Sequence, residues 1–98
     1  MIQHTVAFRL HHDAGSDKEK AFLHEVKQLQ TLPGVLRFKL MRQVGKKNSF
    51  TWGLSMHFSS QQSYDAYNSH PDHVNFVDTV WLPEVADFME IDYIEETA

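Results

Sequence analysis

Cysteine is absent from this chain, which excludes disulfides, thiolate metal sites and cysteine nucleophiles and fits a reducing, cytoplasmic setting. No apolar run approaches the ~18 residues that a membrane span requires, so no membrane partner is expected. The opening Met1-Ile2-Gln3-His4 lacks a basic stretch followed by an apolar one, and no secretory signal is expected there. Positive charge is also scarce. Nine lysines and arginines against thirteen acids leave a net charge of −4, which argues against a nucleic-acid partner held by its phosphates. With only three prolines and four glycines there are no linkers or low-complexity stretches, and the 98 residues are expected to form one domain, 1–98.

Aromatic and aliphatic side chains are well represented, and their spacing is informative. From Ile2 to Leu10, Ile2, His4, Val6, Phe8 and Leu10 alternate with Gln3, Thr5, Ala7 and Arg9, the period of a half-buried strand with one histidine on its apolar side. Ser16, with Glu19 three places on, predicts a capped helix carrying Phe22, Leu23, Val26 and Leu29, stopped by Leu32-Pro33-Gly34. Val35–Val44 and Phe50–Phe58 predict a hairpin, with Leu36, Phe38 and Leu40 on one side of the first strand and Trp52, Leu54, Met56 and Phe58 on one side of the second. Helical segments follow from Ser59 or Ser60 and from Pro71, Pro83 opens a further turn, and 86–95 closes the chain as a strand.

This order predicts an α+β fold, ferredoxin-like βαββαβ, with one four-stranded antiparallel sheet covered by helices on one face. The open face is expected to be polar with charges of both signs. It would collect Gln3, Thr5, Arg9, Arg37, Lys39, Ser55 and His57, with Glu90 and Asp92 if the last strand keeps step. Such a face can stay wet or meet a copy of itself. RNA-recognition domains share the element order but stack bases on strand aromatics, whereas Thr51, Gly53, Ser55 and His57 offer no such ring.

The densest chemistry lies in Tyr67-Asn68-Ser69-His70-Pro71-Asp72-His73. Pro71 suits the first helical position, making His70 the N-cap and placing His73 on the apolar face with Phe76, Val77, Val80 and Trp81. Desolvation and the positive helix end both disfavour imidazolium, so His73 is expected to be neutral and able to accept a proton, with Tyr67 supplying an O–H to the same space. The pairs His11-His12 and His70-x-x-His73 lack ligand spacing, so no metal is expected.

The opening Met-Ile-x-His, Pro33-Gly34-Val35, Tyr67-x-x-His70-Pro71-x-His73-x-x-Phe76-Val77 and the closing Asp92-Tyr93 together resemble the stress-responsive α/β-barrel (Dabb) family. The resemblance implies a homodimer in which two sheets close into a barrel with the helices outside, through the open sheet face. One kind of member is a cofactor-independent polyketide cyclase, whose tyrosine and histidine correspond to Tyr67 and His73 and whose first-strand histidine corresponds to His4. Its third-strand histidine is replaced here by Trp52, which is expected to narrow the pocket. The expected function is therefore binding of a small apolar or aromatic carbonyl compound, without cofactor, in a pocket walled by Trp52, Leu54, His70, Phe76 and Trp81. The alternative is an aldol-cyclase or isomerase with His73 as base, Tyr67 as donor and His4 beside them.

Overall fold

In a computed structural model that describes residues 1–97, the alternation of the first segment becomes strand β1 (Ile2–Leu10), with His4, Val6, Phe8 and Leu10 buried on one side. Helix α1 (Asp17–Lys27) begins as the capping box predicts: the Ser16 hydroxyl accepts from Glu19 N–H at 3.2 Å, and the Glu19 carboxylate accepts from Gly15 N–H at 2.9 Å. Its last turn tightens into a 3₁₀ turn, Gln28–Thr31, so that Leu29 and Leu32 join Phe22 and Val26 in the core. Gly34, at φ +85°, then takes the left-handed turn that Pro33-Gly34 signalled.

The hairpin strands are β2 (Leu36–Arg42) and β3 (Trp52–Phe58), shorter than expected because Gln43 folds its side chain into the connecting turn, donating to Asn48 Oδ1. Helices α2 (Gln61–Ser69), α3 (Pro71–Phe76) and the short α4 (Leu82–Glu84) precede strand β4 (Val85–Ile94). Between α3 and α4, Val77–Trp81 widens into a π-turn in which Leu82 N–H reaches back to the Val77 carbonyl. The strands form one antiparallel sheet in the order β2-β3-β1-β4, the ferredoxin-like arrangement.

Two face assignments differ from the sequence expectation. In β2 a bulge lies between Leu36 and Lys39, and Arg37 sits at φ +51°. One extra residue flips the side of everything before it, so Leu36 pairs with His57 on the open face and is 41% exposed, while Leu40 pairs with Leu54 and packs on the core. In β4, register with β1 sets Glu90 opposite Val6 and Asp92 opposite His4, which places both acids beneath the helices. The open face receives Met89, Ile91 and Tyr93 instead, opposite Ala7, Thr5 and Gln3, and with Met41 it is more apolar than expected.

The core fills the layer between sheet and helices. Phe8, Phe22, Met56, Phe58 and Val26 are fully enclosed, and Trp81 closes on Phe8 at 5.0 Å and Phe22 at 6.0 Å between ring centres. These tilted aromatic pairs each add about 0.5–1.5 kcal/mol beyond the area that they bury. Among the described residues, no helix is long and apolar enough to cross a membrane.

Candidate functional site

Ser60 caps α2 by accepting from Ser63 N–H at 3.1 Å, and the helix carries Tyr64 and Tyr67, three residues apart, on its inward side. The residue before a proline is driven out of helical conformation, and His70 (φ −60°, ψ 132°) ends α2 accordingly. His70 then caps α3: its Nδ1 accepts from Asp72 N–H at 3.1 Å. Pro71 is the first residue of α3 and His73 the third, so the chain turns sharply enough to lay the His73 ring 4.3 Å from that of Tyr67.

His4, Tyr67 and His73 border one cavity of about 100 Å³, walled by Val6, Leu29, Leu54, Phe76, Val77 and Trp81. Leu82, Phe88 and Glu90 complete its lining, and Leu82, 58% exposed, marks the mouth. Val77 and Trp81, four residues apart at the two ends of the π-turn, both face the wall; such irregularities are common at functional sites.

Protonation in the cavity follows from its partners. The Asn68 carbonyl can only accept, so the 3.1 Å contact requires a proton on His73 Nδ1 and leaves Nε2 as the acceptor. Desolvation lowers the pKa of His73, the neighbouring His4 adds to the effect, and the Asn68 carbonyl and Glu90 oppose it. Burial and, secondarily, the Glu90 charge push the Tyr67 phenol up, so it remains a donor. His4 Nδ1 lies 2.6 Å from Asp92 Oδ1 and 2.8 Å from the Tyr64 hydroxyl, which itself donates to Asp92 Oδ2 at 2.8 Å.

Most of the expected residues therefore meet: His4, Tyr67 and His73 share the cavity wall with Leu54, Phe76 and Trp81. Two do not. Trp52 lies toward the other end of β3, where Arg42 stacks over its ring at 4.5 Å and its indole N–H reaches Glu19 at 3.4 Å; it neither lines nor narrows the cavity. His70 is occupied by capping and is not part of the lining. Sequence reasoning misses Asp92, Tyr64 and Glu90. The signal for Asp92 is the need of a buried imidazole for a partner, with the β1–β4 pairing bringing an acid opposite His4.

A profile of the stress responsive A/B barrel domain matches residues 2–95. A stress-response A/B barrel domain-containing protein of Arabidopsis thaliana is 30% identical over 98 residues, which are 98% of this chain but only 37% of that protein's length. A solved dabb family protein with a ferredoxin-like fold from Mesorhizobium loti is 45% identical at a TM-score of 0.96, covering 98% of this chain and 97% of that one. A hydroxynitrile lyase from Passiflora edulis shares the fold at a TM-score of 0.85 and 18% identity, over 99% of this chain and 95% of that one. The profile match takes in all four strands and the Tyr67–His73 segment, and the chain belongs to the stress responsive A/B barrel domain family.

Proposed function

We propose that the cavity binds a small, uncharged carbonyl compound, its carbonyl oxygen accepting from Tyr67. The observation that carries this reading is the convergence of His4, Tyr67 and His73 on a cavity of about 100 Å³ whose remaining lining is apolar apart from Glu90. The space is smaller than a cavity of about 150 Å³ that holds benzene, which favours small carbonyl compounds over larger aromatic ones. Glu90 in the lining opposes a carboxylate, which favours ketones or aldehydes over the corresponding acids. Ligands this small gain at most about −1.5 kcal/mol per non-hydrogen atom, so micromolar affinity is the ceiling for a molecule such as butanone.

The expected outcome is a rise in thermal unfolding temperature with increasing butanone, smaller in Tyr67→Phe, and none with butyrate. Equal response to butyrate, or none to butanone, overturns the reading.

A second reading is favoured by one feature, the neutral imidazole beside a phenol that keeps its proton. Such a pair supports proton abstraction next to a carbonyl, with a histidine as base and Tyr67 stabilising the enolate oxygen. That is cofactor-independent chemistry of isomerase or aldol-cyclase type.

The open sheet face is, on this account, the homodimer contact. Met89, Ile91 and Tyr93 are 51%, 41% and 52% exposed there, and the buried Arg9 Nε and His57 Nδ1 on the same face have no partner among the described residues. A second copy would cover this apolar stripe.

A further inference from the structure

His73 and His4 border the same cavity, but their surroundings are unequal. Behind His73 stands a neutral carbonyl, that of Asn68. Behind His4 stands a carboxylate, Asp92, at 2.6 Å. A base that must hold a full positive charge at the moment of proton transfer is stabilised far more by a carboxylate at hydrogen-bond distance than by a peptide oxygen.

The protons of this group can be placed. Burial raises the pKa of Tyr64 and the Asp92 carboxylate raises it further, so the phenol keeps its proton and donates to Asp92 Oδ2. Oδ1 is then the acceptor for His4 Nδ1–H, and the nitrogen left to meet a ligand is Nε2. The Tyr64 ring also packs on that of His4 at 5.1 Å and stacks on Phe58 at 4.9 Å, which fixes the orientation of the imidazole. The far side of the group is open: the Asp92 side chain is 41% exposed and lines a surface hollow with Gln61, Tyr64 and Ile94. His4, only 6% exposed in its side chain, thus separates the cavity from a carboxylate in contact with solvent.

We propose that His4, rather than His73, is the cavity's proton acceptor, and that Asp92 and Tyr64 are the residues that position it and hold its tautomer. This rests on the proton-transfer reading of the cavity. In the step, the bond between the α-carbon and its hydrogen breaks, the proton goes to His4 Nε2, and the electron pair forms the enolate, whose oxygen accepts from Tyr67 O–H. The imidazolium is held by the Asp92 carboxylate through Nδ1–H, and the proton on Nε2 returns to carbon or exchanges with water that enters the cavity, which restores the Nδ1–H tautomer. No oxidant or cofactor enters the balance.

The first test needs no substrate. Nitrogen-15 NMR of the histidine rings should show His4 as the Nδ1–H tautomer in the wild type and as the Nε2–H tautomer in Asp92→Asn, whose amide can donate to Nδ1. Tyr64→Phe should leave the wild-type tautomer in place. An Nε2–H tautomer in the wild type, or no change in Asp92→Asn, overturns the assignment, and the wild-type result stands alone should that variant fail to fold.

The second test is deuterium uptake at the α-positions of butanone in D₂O, catalysed by the full chain. Asp92→Asn should slow it by about 100-fold with KM unchanged, and His73→Gln by less than about tenfold. The reverse ranking overturns the assignment of His4. Absence of uptake in wild type, with the tautomers as expected, refutes the proton-transfer reading and the acceptor role with it, while leaving the hydrogen-bonded group as a structural finding.

Discussion

His73 gives the most direct residue-scale check, because its half-buried ring is held neutral by desolvation. Its NMR titration midpoint is predicted below the ordinary histidine value of about 6.5, and a midpoint at or above that value contradicts the desolvated geometry. The sign for stability follows. With the folded pKa lowered, the unfolded chain takes up the proton first as pH falls. The His73 contribution is therefore intact above about 6.5 and is lost as pH falls from there through the lowered folded value. His73→Gln should flatten that part of the slope in thermal unfolding between about pH 7.5 and pH 5.5. Sequence alone places Tyr67 and His73 together because Pro71 fixes the helix start and a helix start fixes which face its third residue occupies. It cannot place Asp92 and Glu90, since alternation in β4 reads Met89, Ile91 and Tyr93 as the inward set, and only pairing with β1 reveals the opposite. Core side chains are legible from periodicity, and Phe8→Ala should lower unfolding free energy in urea by about 3–5 kcal/mol.

The elements follow local rules well where a cap or a proline sets the boundary and poorly where two strands must agree. Ser16→Ala removes the acceptor for Glu19 N–H and should destabilise the fold by about 1 kcal/mol in urea titrations. The β2 bulge has no local signature, because an arginine at φ +51° is unfavourable in isolation and is imposed by the pairing of Leu36 with His57 and Lys39 with Ser55. Arg37→Gly relieves about 1–2 kcal/mol of left-handed strain at an entropic cost of about 0.5–1 kcal/mol, so a net gain of about 0–1.5 kcal/mol is predicted. Arg37→Val should lose stability instead. The π-turn at Val77–Trp81 is likewise invisible to helical periodicity, although the periodicity does place Val77 and Trp81 on the inward face where they line the cavity.

For the whole molecule, the two faces of one sheet have different tasks. The covered face encloses the cavity, and the open face, with Met89, Ile91 and Tyr93, is the proposed dimer contact. Ile91→Glu should shift sedimentation toward monomer without unfolding, and a wild type that sediments as monomer contradicts the contact. The element order and sheet topology are readable from the sequence, as is the resemblance that the profile match over residues 2–95 bears out. The cavity's size is not, because volume depends on how Phe76, Trp81 and Leu54 pack together rather than on their identities. The central claim is that this cavity receives a small neutral carbonyl compound, and chemical-shift mapping of isotopically labelled protein with butanone tests it most directly. Perturbations confined to the Leu54 and Val77 methyls, the Trp81 indole and the Tyr67 ring, with none from butyrate, are predicted. Shifts scattered over the surface, or equal shifts from butyrate, would contradict it.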